Sequence, residues 1–424
     1  MEIVKGYKTE LKLNNKQITA CFNHSGSARF TWNWGLDRRK TAYKRDGEKL
    51  NAIALHKELN ELKKTDFDWL YQVSKCAPQE ALRNLDKAFS NFFSKRAKYP
   101  KFKSRKKGIG SFTFTGTVKV FNNMIQLPRL GKLGLKEKGY LPIDKHILKA
   151  TVSEKAGRWF VSVQVKEDIK VPKNNGGIAG TDLGIKTLAY VSDGKKFENP
   201  KALKRFERKL SRAQRRLSKR RKGSKNRLKQ KRIVQKIHRK VKNIRNDNTH
   251  KVTSYLAKNK SFNCIENLSV KGMLKNRRLS KALSDAGLGE FGRQMKYKCN
   301  WYGSDLTVAD RWFPSTKRCS GCGSIKDMPL SCRIYCCEEC GLVIDRDYNA
   351  SLNLRYYMER EIGSFGFPSV IDFYDTSKSM VAVSLPETLN AFGEGSSGLF
   401  TEISETAFDE LGIEHYLGIF DLDG

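Results

Sequence analysis

The spacing of apolar residues changes several times along this chain of 424 residues. From residue 1 to about residue 20, apolar and polar side chains alternate, which predicts a β-strand. Between residues 28 and 107 the apolar positions recur every three or four residues, as at Trp34 and Phe89, which predicts helices. Alternation returns in residues 108–172. Together with the first strand, this segment predicts a small β-barrel into which the helical block is inserted.

A second set of elements follows a cluster of Pro, Asn and Gly at residues 171–177, which marks a domain boundary. Residues 177–199 predict three short antiparallel strands. Residues 201–245 predict a helical hairpin with an apolar stripe, in which twenty-two Lys and Arg residues accompany a single acid, Glu207. A solvated helix face normally mixes both signs of charge, so this composition favours contact with nucleic acid.

The formal net charge of the chain is +38. An excess of this size implies a polyanionic partner, and nucleic acid fits it best, with ribosomal or membrane-surface binding as the competing interpretation. The charge reverses from Glu361 onward, where twelve acids accompany one lysine, Lys378. We expect this acidic tail to be a flexible extension.

No stretch of about 18 apolar residues occurs, and the first residues lack the apolar core of a signal peptide. We therefore expect a soluble protein of the cytosol. In that reducing environment the ten cysteines are better explained as metal ligands or buried thiols than as disulfides.

Four cysteines form two CxxC pairs with a glycine after each pair: Cys319 and Cys322, then Cys337 and Cys340. This spacing predicts a structural zinc site with four thiolate ligands. Two more cysteines, Cys332 and Cys336, lie between the pairs, and Cys336 is an alternative to Cys337 as a ligand. A redox role for one pair is the weaker alternative.

Three acids lie at the ends or starts of predicted elements. Asp182 lies on the first strand after the boundary, Glu266 ends a buried strand, and Asp347 begins the final helix. An acid on the first strand of an antiparallel trio is typical of ribonuclease H-like folds. Carboxylates are the ligands that Mg²⁺ prefers, and a pair of such ions suits phosphodiester hydrolysis. Each acid alone is more often a turn or cap residue, so the hypothesis depends on their order along the chain.

Aromatic and basic residues interleave where the third predicted helix ends, a composition that suits phosphates and stacked bases. The alternative is a solvated helix end with Tyr99 and Phe102 packed inward. Candidate nucleic-acid contacts come from this segment, from the basic hairpin and from the residues just before the cysteines: Lys98, Tyr99, Lys101, Lys103, Arg215, Arg216, Arg220, Lys225 and Arg311.

Six strings resemble those of TnpB, the transposon-associated RNA-guided DNA endonuclease family related to the type V CRISPR effectors. The resemblance extends from about residue 5 to residue 360. The strings are Arg83-Asn-Leu-Asp-Lys-Ala-Phe89 with Tyr99-Pro-Lys-Phe-Lys, Gly180-Thr-Asp182-Leu-Gly-Ile-Lys, Glu266-Asn-Leu-Ser-Val-Lys-Gly-Met-Leu, Asp310-Arg-Trp-Phe-Pro-Ser-Thr-Lys-Arg-Cys319-Ser-Gly-Cys, and Cys340-Gly-Leu-Val-Ile-Asp-Arg-Asp347-Tyr-Asn-Ala.

The resemblance implies an α/β protein with additional all-β and helical parts. A RuvC-like (ribonuclease H-like) nuclease domain with a zinc-ribbon insertion would follow a β-barrel wedge domain that carries a helical recognition lobe. The implied ranges are 1–27 and 108–172 for the wedge barrel, 28–107 for the recognition lobe, 173–365 for the nuclease domain with its basic hairpin at 198–258 and zinc-binding insertion at 313–343, and 366–424 for the acidic tail.

The resemblance also implies that Asp182, Glu266 and Asp347 are catalytic and bind two Mg²⁺ ions, with Asp345 as the alternative to Asp347. The implied partners are a guide RNA from the transposon end and a double-stranded DNA target beside a short flanking motif. Two residues at the start of the third helix are candidate readers of that motif: Lys75 and Gln79.

We expect one protein per guide RNA in a prokaryotic cytosol, with no membrane partner. The main alternative is an RNA-guided DNA-binding repressor that has lost cleavage, and a third interpretation is a transposase that joins DNA ends. A repressor descended from this family is expected to have lost at least one of the acids, whereas all three are present in this chain.

Overall fold

The computed structural model describes residues 1–106, 108–329 and 331–364. Within them the chain forms two compact units, one comprising Met1–Asp168 and the other beginning at Ile169. This division falls close to the boundary that the Pro, Asn and Gly cluster predicts. The predicted acidic tail, residues 366–424, lies outside the described residues.

An antiparallel sheet of seven strands forms the centre of the first unit. The strands are β1 (Glu2–Lys12), β2 (Ser111–Phe114), β3 (Lys119–Val120), β4 (Met124–Leu127), β5 (Gly131–Leu135), β6 (His146–Lys155) and β7 (Arg158–Asp168). Their order across the sheet is β2-β6-β7-β1-β5-β4-β3. Val161, Val163 and Val165 alternate with more exposed residues and are fully buried, because successive side chains of a strand point to opposite faces. In the described residues the pairing ends at β2 and β3, so hydrogen bonds do not close a barrel.

Helix α1 (Asn15–Asp46) begins earlier than the sequence pattern predicts. Asn14 caps it, since its side chain accepts the backbone N–H of Gln17 at 2.9 Å and its own N–H donates to the Gln17 side chain at 3.1 Å. The predicted first strand is confirmed as far as Lys12 and wrong beyond it, and α1 runs through the expected edge of the helical lobe at residue 28. A buried polar residue, His24, lies on the inner face of these first turns and obscured the helical period.

Three helical segments follow α1: α2 (Ala52–Leu62), a 3₁₀ segment (Asp68–Gln72) and α3 (Cys76–Phe93). The spacing of apolar residues predicts α2 and α3 but not the 3₁₀ segment. Leu55 and Leu85 are fully buried in the core that these segments share with α1. Between α3 and β2, the residues of the basic segment that the structure describes form neither helix nor strand.

A mixed sheet of five strands forms the centre of the second unit. The strands are β8 (Gly177–Leu183), β9 (Thr187–Val191), β10 (Lys196–Glu198), β11 (Lys260–Ile265) and β12 (Asp305–Val308). Their order is β10-β9-β8-β11-β12, with the first three antiparallel and β11 parallel to both β8 and β12. The predicted antiparallel trio is confirmed.

The predicted basic hairpin is also confirmed, as helices α4 (Ala202–Ser218) and α5 (Lys225–Asn259). Leu210 and Val234 are buried in the core between them. In the second helix of the hairpin, helical spacing predicts a stripe that includes Ile233, Ile237 and Val241; Ile237 and Val241 are buried, whereas Ile233 is 46% exposed. Val234 is buried in place of Ile233, while the rest of the buried face includes residues of the predicted stripe.

Three helices connect β11 to β12: α6 (Val270–Met273), α7 (Ser280–Ala286) and α8 (Leu288–Tyr302). The buried carboxylate of Asp285 accepts the backbone N–H of Leu203 at 2.8 Å and that of Lys204 at 3.3 Å. The first N–H groups of a helix have no partner within the helix and attract negative charge. Asp285 therefore fixes the start of α4.

The described chain ends with a two-stranded ribbon, β13 (Ile334–Cys336) and β14 (Val343–Asp345), and with helix α9 (Arg346–Ser364). Helix α9 packs directly on β8 at Gly180. A Cβ atom at Gly180 would lie 2.1 Å from the carbonyl oxygen of Ser351 and 2.3 Å from the backbone nitrogen of Arg355. Only glycine permits this close approach, which brings the start of α9 to the strand that carries Asp182.

We expect Gly180→Ala to destabilise the protein by about 3 kcal/mol, because the methyl group meets backbone atoms that cannot move independently. Gly177→Ala is the matched control, since Gly177 lies on the same strand and a Cβ atom added there would meet no atom within 4 Å. The measurement is thermal unfolding of both variants. Equal melting temperatures would contradict the packing argument.

None of the helices in the described part of the chain combines the length and apolar character that crossing a membrane requires.

Candidate active site and zinc centre

The three candidate acids lie on elements that meet at one end of the five-stranded sheet. Thr181 of β8 pairs in register with Ile265 of the parallel strand β11. Asp182 and Glu266 follow these two residues directly, so they are neighbours across the ladder, where strands lie about 4.8 Å apart. Asp347 lies in the first turn of α9.

The charges of the three carboxylates interact. Burial raises the pKa of Asp182 well above its usual value, and the charges of Glu266 and Asp347 raise it further. Burial also raises the pKa of Glu266, with a further contribution from Asp347. Like charges held together away from water favour a bound cation, and carboxylate oxygens are the donors that Mg²⁺ prefers.

A hydrogen-bond network orients Glu266. The hydroxyl of the buried residue Ser315 donates to its carboxylate. The backbone carbonyl of Ser315 in turn accepts from the side chain of Asn353 at 2.8 Å, and Asn353 also donates to the carbonyl of Arg318 at 2.7 Å. Because Asn353 lies on α9, these bonds tie Glu266 to the helix that carries Asp347.

Asp345 and Asp347 have different surroundings. The carboxylate of Asp345 accepts the backbone N–H of Asp347 at 2.9 Å and that of Tyr348 at 3.1 Å, so Asp345 caps α9. Its side chain is 47% exposed, whereas that of Asp347 is 18% exposed. The structure therefore places Asp347 with the other acids and gives Asp345 a capping role.

Two arginines that the sequence analysis missed contact Asp347. Arg346 donates to Oδ1 from Nε at 3.2 Å and from Nη2 at 3.0 Å, and Arg333 reaches Oδ2 at 3.5 Å. Arg346 lies within the Asp345-Arg-Asp347 string, but its sequence position alone does not show which way its side chain points.

The two CxxC pairs form one cluster. The Sγ atoms of Cys319 and Cys340 are 3.6 Å apart, those of Cys322 and Cys337 are 3.5 Å apart, and all four lie within 4.8 Å of one another. Four sulfurs around one zinc at about 2.3 Å would be roughly 3.8 Å apart. The four thiols therefore fit a structural Zn²⁺ ion. Within the described residues, these four cysteines form the group of possible metal ligands that lie close enough together to share one ion. Cys332 and Cys336 do not belong to that group.

The local bonding also suits zinc. The backbone N–H of Gly321 donates to Sγ of Cys319 at 3.4 Å, and the hydroxyl of Ser324 lies 3.2 Å from Sγ of Cys337. The Ser324 hydroxyl is the main cause that lowers the pKa of Cys337 to about 6. A low pKa favours the thiolate, which is the form that binds metal.

We expect the purified protein to contain one zinc per chain and Cys319→Ser to lose most of it, because three thiolates and a hydroxyl make a weaker site. Cys336→Ser is the control and should keep the zinc, since Cys336 is exposed and lies outside the cluster. Elemental analysis of both variants measures the metal. Zinc loss in the control alone would assign the site to Cys336.

The candidate nucleic-acid contacts of the second unit are exposed: Arg215, Arg216, Arg220, Lys225 and Arg311. The only acid in residues 201–245, Glu207, pairs with Lys281 of α7. The guanidinium of Arg311 lies 5.5 Å from the ring of Trp312, which is 82% exposed. These surfaces offer cations and an aromatic face, and the second acid of the two helices, Asp247, is also paired, with Lys251 at 2.8 Å.

In the first unit, the segment after α3 is anchored by its own aromatics. Tyr99 packs edge-on against Phe92 with ring centroids 5.2 Å apart but remains 40% exposed, and Phe102 is 49% exposed, so neither ring is buried as the alternative describes. Lys103 places Nζ 3.6 Å from the ring centroid of Trp32, and Asn33 bonds its backbone at both N–H and carbonyl. Lys98 and Lys101 are exposed.

Two cavities of the first unit contain basic residues that the sequence analysis missed. One of about 850 Å³ is lined by Lys75 together with Lys119 and Arg129. Another of about 400 Å³ is lined by Arg29 and Arg105. Gln79 lies half-buried on α3. Arg105 lies in the basic segment after α3, but the other cations are outside any charge run, so the sequence does not mark them.

Three family descriptions match parts of the chain. "Probable transposase" matches residues 150–277, "Cas12f1-like, TNB domain" matches residues 289–354, and "Helix-turn-helix domain" matches residues 1–48. In the structure the last range consists of β1 and one continuous helix, α1, rather than two helices.

Two bacterial relatives cover most of the chain. A Streptomyces pristinaespiralis protein named "Putative RNA-guided DNA endonuclease" is 36% identical over 83% of this chain and 89% of its own length. A protein of Escherichia coli (strain K12) named "Putative RNA-guided DNA endonuclease InsQ" is 30% identical over 84% of this chain and 92% of its own length.

Among solved structures, a Cas12f1 chain in a complex with sgRNA and target DNA has 17% identity and a TM-score of 0.34, with coverage of 83% of this chain and 99% of that chain. A structural similarity with so low a TM-score does not support a family assignment, which therefore rests on the sequence matches. Proteins named TnpB-like also match over shorter stretches, as in Acanthamoeba polyphaga mimivirus, where identity is 34% over 31% of this chain. The chain therefore belongs to the TnpB family, whose bacterial relatives are named as RNA-guided DNA endonucleases.

Proposed function

We propose that this protein is an RNA-guided, Mg²⁺-dependent DNA endonuclease of a transposon, which cuts double-stranded DNA beside a short flanking motif. The observation that carries the proposal is the meeting of Asp182, Glu266 and Asp347 at one end of the five-stranded sheet, where burial and the neighbouring carboxylates raise the pKa values of Asp182 and Glu266. Family membership supports the same activity, since the relatives carry this name.

The sheet supports a RuvC-like, ribonuclease H-like assignment for the second unit, because Asp182 lies on the first strand of an antiparallel trio. The zinc cluster then corresponds to the predicted zinc-ribbon insertion, and the seven-stranded sheet and α1–α3 of the first unit to the wedge and recognition lobe. The ranges 1–27, 28–107, 108–172 and 173–365 remain our proposal for these domains.

Asp182, Glu266 and Asp347 would hold two Mg²⁺ ions, which when bound supply an activated water and stabilisation of the leaving 3′ oxygen. The chain's own contribution is positioning. Ser315 fixes the carboxylate of Glu266, and Asp345 fixes the first turn of α9 and thereby the backbone of Asp347. Geometry held in this way lowers the cost of assembling the reacting groups.

Guide and target would be held mainly through their phosphates. The exposed cations of α4 and α5 supply a sequence-independent, salt-dependent attraction. Base pairing with the guide RNA selects the target, while the cavity that Lys75 lines is our proposed reader of the flanking motif, with Gln79 nearby on α3. We propose a monomer on one RNA.

The test is to purify the protein with RNA transcribed from its own locus and to offer a plasmid library randomised beside a guide-matched target. Mg²⁺-dependent cutting beside one enriched motif supports the proposal. Binding of that motif without cutting would assign the protein as a repressor, and joined DNA ends would assign a transposase. A guide that matches no plasmid is the control for unguided nicking.

A further inference from the structure

Arg346 connects the zinc-bearing part of the chain to the third acid. Its backbone N–H donates to the carbonyl of Arg333 at 2.8 Å, and its Nη1 donates to the carbonyl of Cys332 at 3.0 Å. In the same guanidinium, Nε donates to Oδ1 of Asp347 at 3.2 Å and Nη2 donates to the same oxygen at 3.0 Å. One side chain therefore bonds both a loop between the two cysteine pairs and a candidate metal ligand.

The side chain of Arg346 is held in place from several directions. It is 11% exposed, which leaves little room for alternative rotamers. A guanidinium carries five N–H donors in a rigid planar fork, so bonds on one edge fix the direction of the other edge. Lysine has a single, freely rotating donor group and cannot link the two sites in the same way.

The loop that Arg346 bonds belongs to the zinc module, which we define as residues 317–345. Cys332 and Arg333 directly precede β13, and Ile334 of β13 pairs with Asp345 of β14. Tyr335 is fully buried against Cys319 and Cys337, and its hydroxyl donates to the carbonyl of Lys317 at 3.1 Å. With so small a core, the position of this loop depends on the metal that joins the cysteine pairs.

We propose that Arg346 is a positioning residue through which the zinc module orients Asp347, so that loss of zinc weakens divalent-ion binding at the active site. The proposal rests on the assignment of Asp182, Glu266 and Asp347 as that site. It gives the zinc module a role in the affinity of the metal site in addition to folding its own segment. Partners that orient a metal-binding carboxylate commonly change affinity by about 10- to 100-fold.

The first experiment compares Mn²⁺ binding, measured by electron paramagnetic resonance, in the zinc-loaded wild type, Arg346→Gln and Arg346→Lys. We expect Arg346→Gln to weaken Mn²⁺ binding by about 10-fold while zinc content is unchanged. Arg346→Lys should restore the charge without the fork and stay close to the Gln variant. Full recovery with lysine would show that charge, and not orientation, is what matters and would overturn the proposal.

Arg355→Gln is the matched control. Arg355 lies on the same helix and also pairs with an acid, Glu359, at 2.7 Å, but this acid is outside the site. Mn²⁺ binding should be unchanged in this variant. Equal weakening in both variants would show a general effect of disturbing α9 and would overturn the specific role of Arg346.

The second experiment removes the zinc with the double substitution Cys322→Ser and Cys340→Ser, in the wild type and in Arg346→Gln. Zinc loss should weaken Mn²⁺ binding in the wild type and have little further effect in Arg346→Gln, because the connection is already broken. Independent, additive losses would overturn the coupling. Asp182→Asn tests the proposed active site separately from the coupling to the zinc module. If this variant leaves Mn²⁺ binding intact, the proposed active site is wrong and the coupling fails with it.

Discussion

Replacing Asp182 with alanine is expected to lower DNA cleavage by at least about 1000-fold, roughly 4 kcal/mol of transition-state stabilisation, while guide-directed DNA binding is retained. Asp182 is the acid whose pKa depends on both of the other two, so its loss removes a ligand from the centre of the site. Cleavage is measured under single-turnover conditions with saturating target, and binding by filter retention with the same RNA complex. Cleavage that survives in this variant would show that the site lies elsewhere.

Asp182→Asn distinguishes a lost ligand from a damaged fold. Without divalent ions, we expect this variant to be more stable than the wild type at neutral pH, because a buried carboxylate surrounded by acids is replaced by a neutral amide of the same size. The pKa of Asp182 is raised by folding, so its ionisation costs stability as the pH rises above its unfolded value of about 4. The difference in melting temperature should therefore grow with pH and disappear below that value.

Asp347→Asn is expected to lower cleavage by about 1000-fold, whereas Asp345→Asn should lower it by less than about 10-fold. The two acids are separated by one residue, but Asp345 caps α9 and Asp347 lies with Asp182 and Glu266. Asparagine is itself a good helix cap, so Asp345→Asn should preserve the start of the helix. Single-turnover cleavage of both variants is the measurement.

Asp345→Ala serves as the complementary control, since it removes the cap and should cost about 1 kcal/mol of stability in thermal unfolding. The reverse pattern, in which Asp345→Asn is inactive and Asp347→Asn cuts normally, would transfer the third metal ligand to Asp345. Equal loss in both variants would indicate that the first turn of α9 is sensitive to any change of charge.

Periodicity succeeded where one face of an element is apolar and the other polar. It predicted α2, α3, the α4–α5 hairpin and the β8–β10 trio, because burial imposes its own period on such segments. It failed for the first turns of α1, where the buried face includes His24, Ser25 and Ser27 in place of aliphatic residues. Its error at Ile233 has a related cause: several apolar residues share that helix, and only packing against α4 decides which of them are buried.

The sequence likewise predicted only part of the chemistry of the site. The CxxC spacing is a local property of the chain, and it predicted the four cysteines that the structure brings together. The three acids were candidates by their order along the chain. Neither their convergence nor the orienting contacts of Ser315 and Arg346 could be derived from that order, since these contacts join residues far apart in sequence or depend on side-chain direction.

The sequence by itself determined the charge that calls for a polyanionic partner and predicted the four clustered cysteines, because both follow from residue type and local spacing, and it made the three acids candidates by their order along the chain. Only the tertiary structure decided that Thr181 and Ile265 are in register, that α9 approaches β8 over Gly180, and that Asp345 caps a helix while Asp347 joins the site. Register, close packing and capping are relations between segments, and their free energies exist only once the segments are in contact.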